Sequence, residues 1–132
     1  MTLAPFLAAP LVVQIHALAA LSLIPLTIVQ FSRRKGGVNH RLLGWIWVAV
    51  MAVTALSSFW IVAKRPMIFT FSWIHLLSII TLVQLVVAIY ARRIGNITRH
   101  RYVMTGLTVG WAIAGVFTFL PTRIMHQVFF GA

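Results

Sequence analysis

Four apolar stretches, at 7–31, 42–63, 70–91 and 102–121, take up most of the chain, and short polar joints separate them. Each is about as long as the roughly 20 apolar residues that carry a helix across ~30 Å of hydrocarbon. Gly36-Gly37 and Gly95-Asn96 break two of the joints, and Lys64-Arg65-Pro66 breaks the middle one. The pattern predicts an all-α, integral membrane, four-helix up-and-down bundle in a single membrane domain, 1–132. No basic segment precedes the first apolar run, so no cleaved signal peptide is expected.

The second half of this pattern repeats the first. Ile15-His16 precedes an apolar run, Arg33-Arg34, Gly36 and His40-Arg41; Ile74-His75 precedes an apolar run, Arg92-Arg93, Gly95 and His100-Arg101. Eight of the 24 positions at 15–38 are identical at an offset of 59, and the His-Arg pairs match at an offset of 60. Such self-similarity predicts two tandem helical hairpins, 7–63 and 70–126, whose histidines come in repeat-related pairs. Two copies of a two-span unit share one orientation, with a pseudo-two-fold axis along the membrane normal.

Charge then orients the bundle. Arg33, Arg34, Lys35 and Arg41 flank the first joint, and Arg92, Arg93, Arg99 and Arg101 flank the third. Only Lys64, Arg65 and Arg123 lie at the other end. The bias of basic residues toward the cytoplasm places joints one and three inside and both termini outside. The basic residues lie at the ends of apolar runs, with no basic stripe, so nucleic acid is excluded as a partner; anionic lipid headgroups are the expected one.

The chain is 61% hydrophobic and carries 11 Lys and Arg, no Asp or Glu, and no Cys. Without a carboxylate there is no general acid or base of that type and no Ser-His-Asp triad, and without a thiol no cysteine nucleophile or iron–sulfur cluster. No hydrolytic or transferase site is expected. Within the spans, Gly106, Gly110 and Ala114 form a small-residue stripe that predicts close approach of a neighbouring helix. Pro25 predicts a kink in the first span. Trp45, Trp47, Trp60, Trp73 and Tyr90 fall near span ends, where interfacial anchors belong, whereas Trp111 lies deeper.

The histidines are the candidate chemistry. His16 lies 17 residues before Arg33, about 25 Å along a helix. His16 and His75 therefore share a depth near the outer side, on diagonal spans, with Ala19, Ala20 and Ser78 leaving room for a flat group. His40 and His100 begin the second and fourth spans at the cytoplasmic side. Facing imidazoles on bundle helices suit bis-histidine haem b, and interfacial arginines suit its propionates. The pair His16 and His75 would hold the iron of an outer haem, and His40 with His100 an inner one, giving a transmembrane electron path. The plainer alternatives are interhelical hydrogen bonds for the outer pair and headgroup anchoring for the inner one. His126, with Met125, Met67, His16 and His75, offers imidazoles and thioethers suited to copper on the outer face. A quinone headgroup hydrogen-bonded by these histidines is a further alternative.

Three motifs carry a resemblance: Ser-Trp-Ile-His-Leu-Leu-Ser at 72–78, Arg-Arg-Ile-Gly-Asn-Ile-Thr-Arg-His-Arg at 92–101, and Ala-Gly-Val-Phe-Thr-Phe-Leu-Pro-Thr-Arg-Ile-Met-His at 114–126. Together with the looser His-Arg-x-x-Gly at 40–44, they resemble a family of uncharacterised bacterial four-span membrane proteins of the domain-of-unknown-function type. The resemblance implies a bacterial inner membrane and a four-helix fold, and it transfers no catalytic residue. From the repeat-paired histidines, and not from this resemblance, the expected function is a small b-type cytochrome-like electron carrier. The alternatives are a cofactor-free accessory or assembly subunit of a larger membrane complex, or metal handling on the outer face.

Overall fold

The computed structural model describes residues 1–61, 72–121 and 123–131, and among these the chain is all helix and turn. Helix α1 covers Ala4–Leu7, α2 Leu11–Ser32, α3 Val38–Ser57, α4 Trp73–Arg93, α5 Ile97–Phe117 and α6 Ile124–Phe130; a 3₁₀ turn, Ser58–Trp60, extends α3. Sequence expectations that fall on Ala63, Lys64, Arg65, Pro66, Met67 and Thr70 lie outside the described residues.

Local chemistry sets these boundaries. The first apolar run does not form one helix from residue 7, because Pro10 lacks an N–H and disfavours helical geometry at Ala9. The chain breaks there, and the Gln14 side-chain amide donates to the carbonyls of Leu7 at 3.3 Å and Ala9 at 2.9 Å. Pro25 lies inside α2, which runs on without interruption. Gly36 and Gly95 hold φ values of +89° and +78°, a conformation that L side chains rarely adopt. Both repeat-related joints therefore turn the chain with the same device.

Packing follows chain order, α2 on α3, α3 on α4 and α4 on α5, while α1 lies against α6. The Thr2 N–H donates to the Val128 carbonyl at 3.0 Å and joins the two terminal segments. All four long helices feed one core of Leu23, Trp47, Met51, Leu85 and Leu107. Around it, Ile28, Val83, Val86 and Val116 are each more than half exposed. A periphery of this kind is the surface that hydrocarbon solvates. Helices α2 and α4, and α3 extended to Trp60, are long and apolar enough to cross a membrane. Helix α5 is equally long, but it opens with Thr98, Arg99, His100 and Arg101 and carries Thr105, Gly106, Thr108 and Gly110 within.

Two packing expectations change. Trp47 is not an interfacial anchor. It is 2% exposed, and its indole N–H donates to the Thr27 hydroxyl at 2.9 Å. Trp45, Trp60, Trp73 and Tyr90 remain exposed, as anchors should be. Among the described residues, Gly106 and Gly110 bring no neighbour close, since nothing lies within 4 Å of the position a Cβ would take at either. The stripe lies beside the face that buries Leu107, so the core forms without it.

A buried polar cluster and a cationic end

Among the described residues, the buried polar side chains are Thr54, Ser57, Ser58, Ser72, His75 and Ser78. All belong to the end of α3 or the start of α4. Helix α3 stops at Ser57, and its last carbonyls lack intrahelical donors. In an apolar medium such groups must find partners within the protein. The Nδ1 of His16, on α2, lies 2.8 Å from the Thr54 carbonyl and 3.1 Å from the Ser57 hydroxyl. The Ser58 hydroxyl donates to the Ala55 carbonyl at 2.7 Å and is hydrogen-bonded to the Ser78 hydroxyl. His75 Nε2 lies 3.4 Å from the Phe59 carbonyl. Both outer histidines therefore converge on one short stretch, 54–59, from opposite neighbouring helices.

They arrive in different tautomers. A carbonyl can only accept, so His16 carries its proton on Nδ1, and the lone pair is on Nε2. His75 is the third residue of α4, and its Nδ1 accepts from the Ser72 N–H at 3.1 Å, with the Ser72 hydroxyl also at 3.1 Å. Its proton is on Nε2, directed at Phe59. This is a capping box in which an imidazole does the work usually done by Glu or Gln. The Phe59 ring packs against the His75 ring at 5.9 Å between centroids.

The inner pair shares one end of the bundle. His40 lies within electrostatic reach of Lys35, Arg92 and the His100 ring. His100 Nδ1–H donates to the Ala88 carbonyl at 2.9 Å and fastens the start of α5 to α4. His40 Nδ1 instead lies 2.9 Å from the Gln30 amide nitrogen, which also donates to the His40 carbonyl at 3.0 Å. Gln30 Oε1 is buried with no hydrogen-bond partner among the described residues.

Of the other candidates, His126 sits on α6, its ring 5.0 Å from that of Phe130, with Nδ1 buried and unpartnered among the described residues. No three or more His, Cys, Asp or Glu gather into a metal site among the described residues. Ala19 does open space, but between α2 and α3: with Leu18, Ser22, Ala49, Val50 and Val53 it lines a groove of about 360 Å³. Sequence reasoning missed Thr54, Ser57, Ser58 and Ser72. The available signal was a run of hydroxyls, 54, 57 and 58, within otherwise apolar sequence.

An all-α membrane protein with a histidine–hydroxyl cluster between its helices is the class these features define. The chain belongs to the DUF2306 family of predicted membrane proteins, whose pattern covers residues 13–130. No curated protein and no solved structure matches it.

Proposed function

We propose that this protein is a small haem-binding electron carrier of the bacterial inner membrane, in which His16 and His75 would hold the outer haem. The observation that carries this reading is the convergence of two repeat-related imidazoles on 54–59 from α2 and α4. The donor set fits haem: neutral imidazoles, with no carboxylate or thiolate in the chain to compete. His16 already has the arrangement of a metal-ligating imidazole, Nδ1–H held by a backbone carbonyl and the lone pair on Nε2. His75 would ligate after moving its proton to Nδ1, with the Ser72 hydroxyl changing from donor to acceptor. That exchange gives up the long bond to Phe59 and the bond from the Ser72 N–H. A haem there supplies one-electron iron chemistry. His40 and His100 form the corresponding inner pair, with His100 the member whose lone pair is on Nε2. In this reading α5 is the fourth span, the arginine-rich joints face the cytoplasm, and quinone is a natural electron donor.

A second reading has its own support. His75 caps α4, and both outer histidines satisfy carbonyls around the end of α3, which is a structural task. On that reading the protein is a cofactor-free accessory subunit of a larger membrane complex. The absorption spectrum of the purified protein separates the two. A Soret band that shifts on dithionite reduction and is bleached by His75→Ala supports haem. A colourless preparation that co-purifies stoichiometrically with a larger complex supports the accessory role.

A further inference from the structure

We infer that the cleft between the end of α2 and the start of α3 is a binding site for the phosphodiester headgroup of one anionic phospholipid. This inference is independent of the haem reading. Arg33, Arg34, Gly37, Val38, Asn39 and His40 line a cavity of about 290 Å³. Two guanidinium groups offer the forked donors that match a phosphate, where a lysine offers only a point charge. The first turn of α3 opens on the same cavity, and its N-cap, Gly37, has no side chain to satisfy the backbone donors there. Lys35 and Arg92 add positive charge around His40, so cations from both hairpins meet at this cleft.

The chain holds no Asp or Glu, so none of these charges has a side-chain counterion within the protein. Their neutralising anion must come from outside. The cleft lies where an apolar helix ends and a basic joint begins, which is the depth of lipid phosphates. The corresponding start of α5 is built differently: Asn96 Oδ1 accepts from the Arg99 N–H at 3.0 Å and closes it.

The test is native mass spectrometry of the full chain in detergent, titrated with phosphatidylglycerol, phosphatidylcholine or inorganic phosphate. One phosphatidylglycerol should remain bound per chain, about tenfold more tightly than phosphatidylcholine. The double variant Arg33→Gln/Arg34→Gln should weaken it by about thirtyfold. Arg33→Lys/Arg34→Lys, which keeps the charge and loses the fork, should fall in between. The charge-matched control Arg93→Gln/Arg99→Gln should stay within about twofold of the parent. Both arginines of the cleft are exposed, so the helical circular dichroism of every variant should match the parent. Equal weakening in the control would show diffuse attraction and overturn the site. Displacement of the lipid by millimolar inorganic phosphate would assign the cleft to the free ion and overturn the lipid.

Discussion

The two hairpins use the same residues at the same repeat positions and give them different work. His16 follows five residues of helix, because Pro10 starts α2 well before it, and its ring reaches sideways to α3. His75 follows only two, because Ser72 starts α4, and its ring folds back onto that start. The inner pair divides likewise. Gln30 engages His40, but its counterpart at an offset of 59 is Ile89, so His100 turns to a backbone carbonyl. Even the second-helix starts differ, bare at Gly37 and capped at Asn96. Which nitrogen of a histidine is protonated is thus decided by where its helix begins and what its neighbour offers.

The largest expected effect tests whether the hairpins contribute equally to the core. Trp47 and Leu107 hold the same repeat position, both buried. Trp47→Ala should cost about 3–5 kcal/mol and Leu107→Ala about 2–3 kcal/mol, read from denaturant unfolding in micelles. Equal costs would mean the hairpins are energetically interchangeable. Exposed Trp60→Ala should stay within about 0.5 kcal/mol.

The outer histidines come next. His75→Ala removes an acceptor from a buried N–H and should cost about 1–3 kcal/mol. His16→Ala breaks an interhelical bond and should cost about 0.6–1.7 kcal/mol. The reverse ranking in the same unfolding assay would show that the capping role is assigned to the wrong hairpin.

Smaller still are the helix starts. Asn96→Ala should lose about 1 kcal/mol. Gly37→Asn grafts the second hairpin's cap onto the first. Its backbone is extended and its surroundings are open, so it should gain a few tenths of a kcal/mol to about 1 kcal/mol and weaken retention of phosphatidylglycerol. A variant that is stabilised yet holds the lipid unchanged would separate the cleft from the helix start.

The long helices were legible, three of them long and apolar enough to span, because apolar run length and glycine joints act locally; 36 and 95 turn the chain as their spacing implies. Trp47 was misplaced because its distance from the joint resembles that of an anchor, and only tertiary packing turns the indole inward onto Thr27. The repeat paired His16 with His75, but it did not show that both rings are held at the end of α3. Nor were their tautomers legible, since these depend on Thr54 and Phe59, on α3 and its 3₁₀ extension, and on Ser72, which lies two residues before the matched stretch begins. The Gly106–Gly110–Ala114 stripe reads as an interface in sequence, but a one-dimensional pattern does not say which side of a helix meets its own chain.

The way the end of α3 is closed has a consequence for biogenesis. Its carbonyls draw donors from both flanking helices: Thr54 is served by His16, synthesised earlier, and Phe59 by His75, synthesised later. An emerging first hairpin can therefore seal part of that terminus on its own, while the rest stays unsatisfied until the next span arrives. The polypeptide is committed to adding α4 before the first hairpin is comfortable in lipid, and a truncation after α4 should be tolerated where one after α3 is degraded.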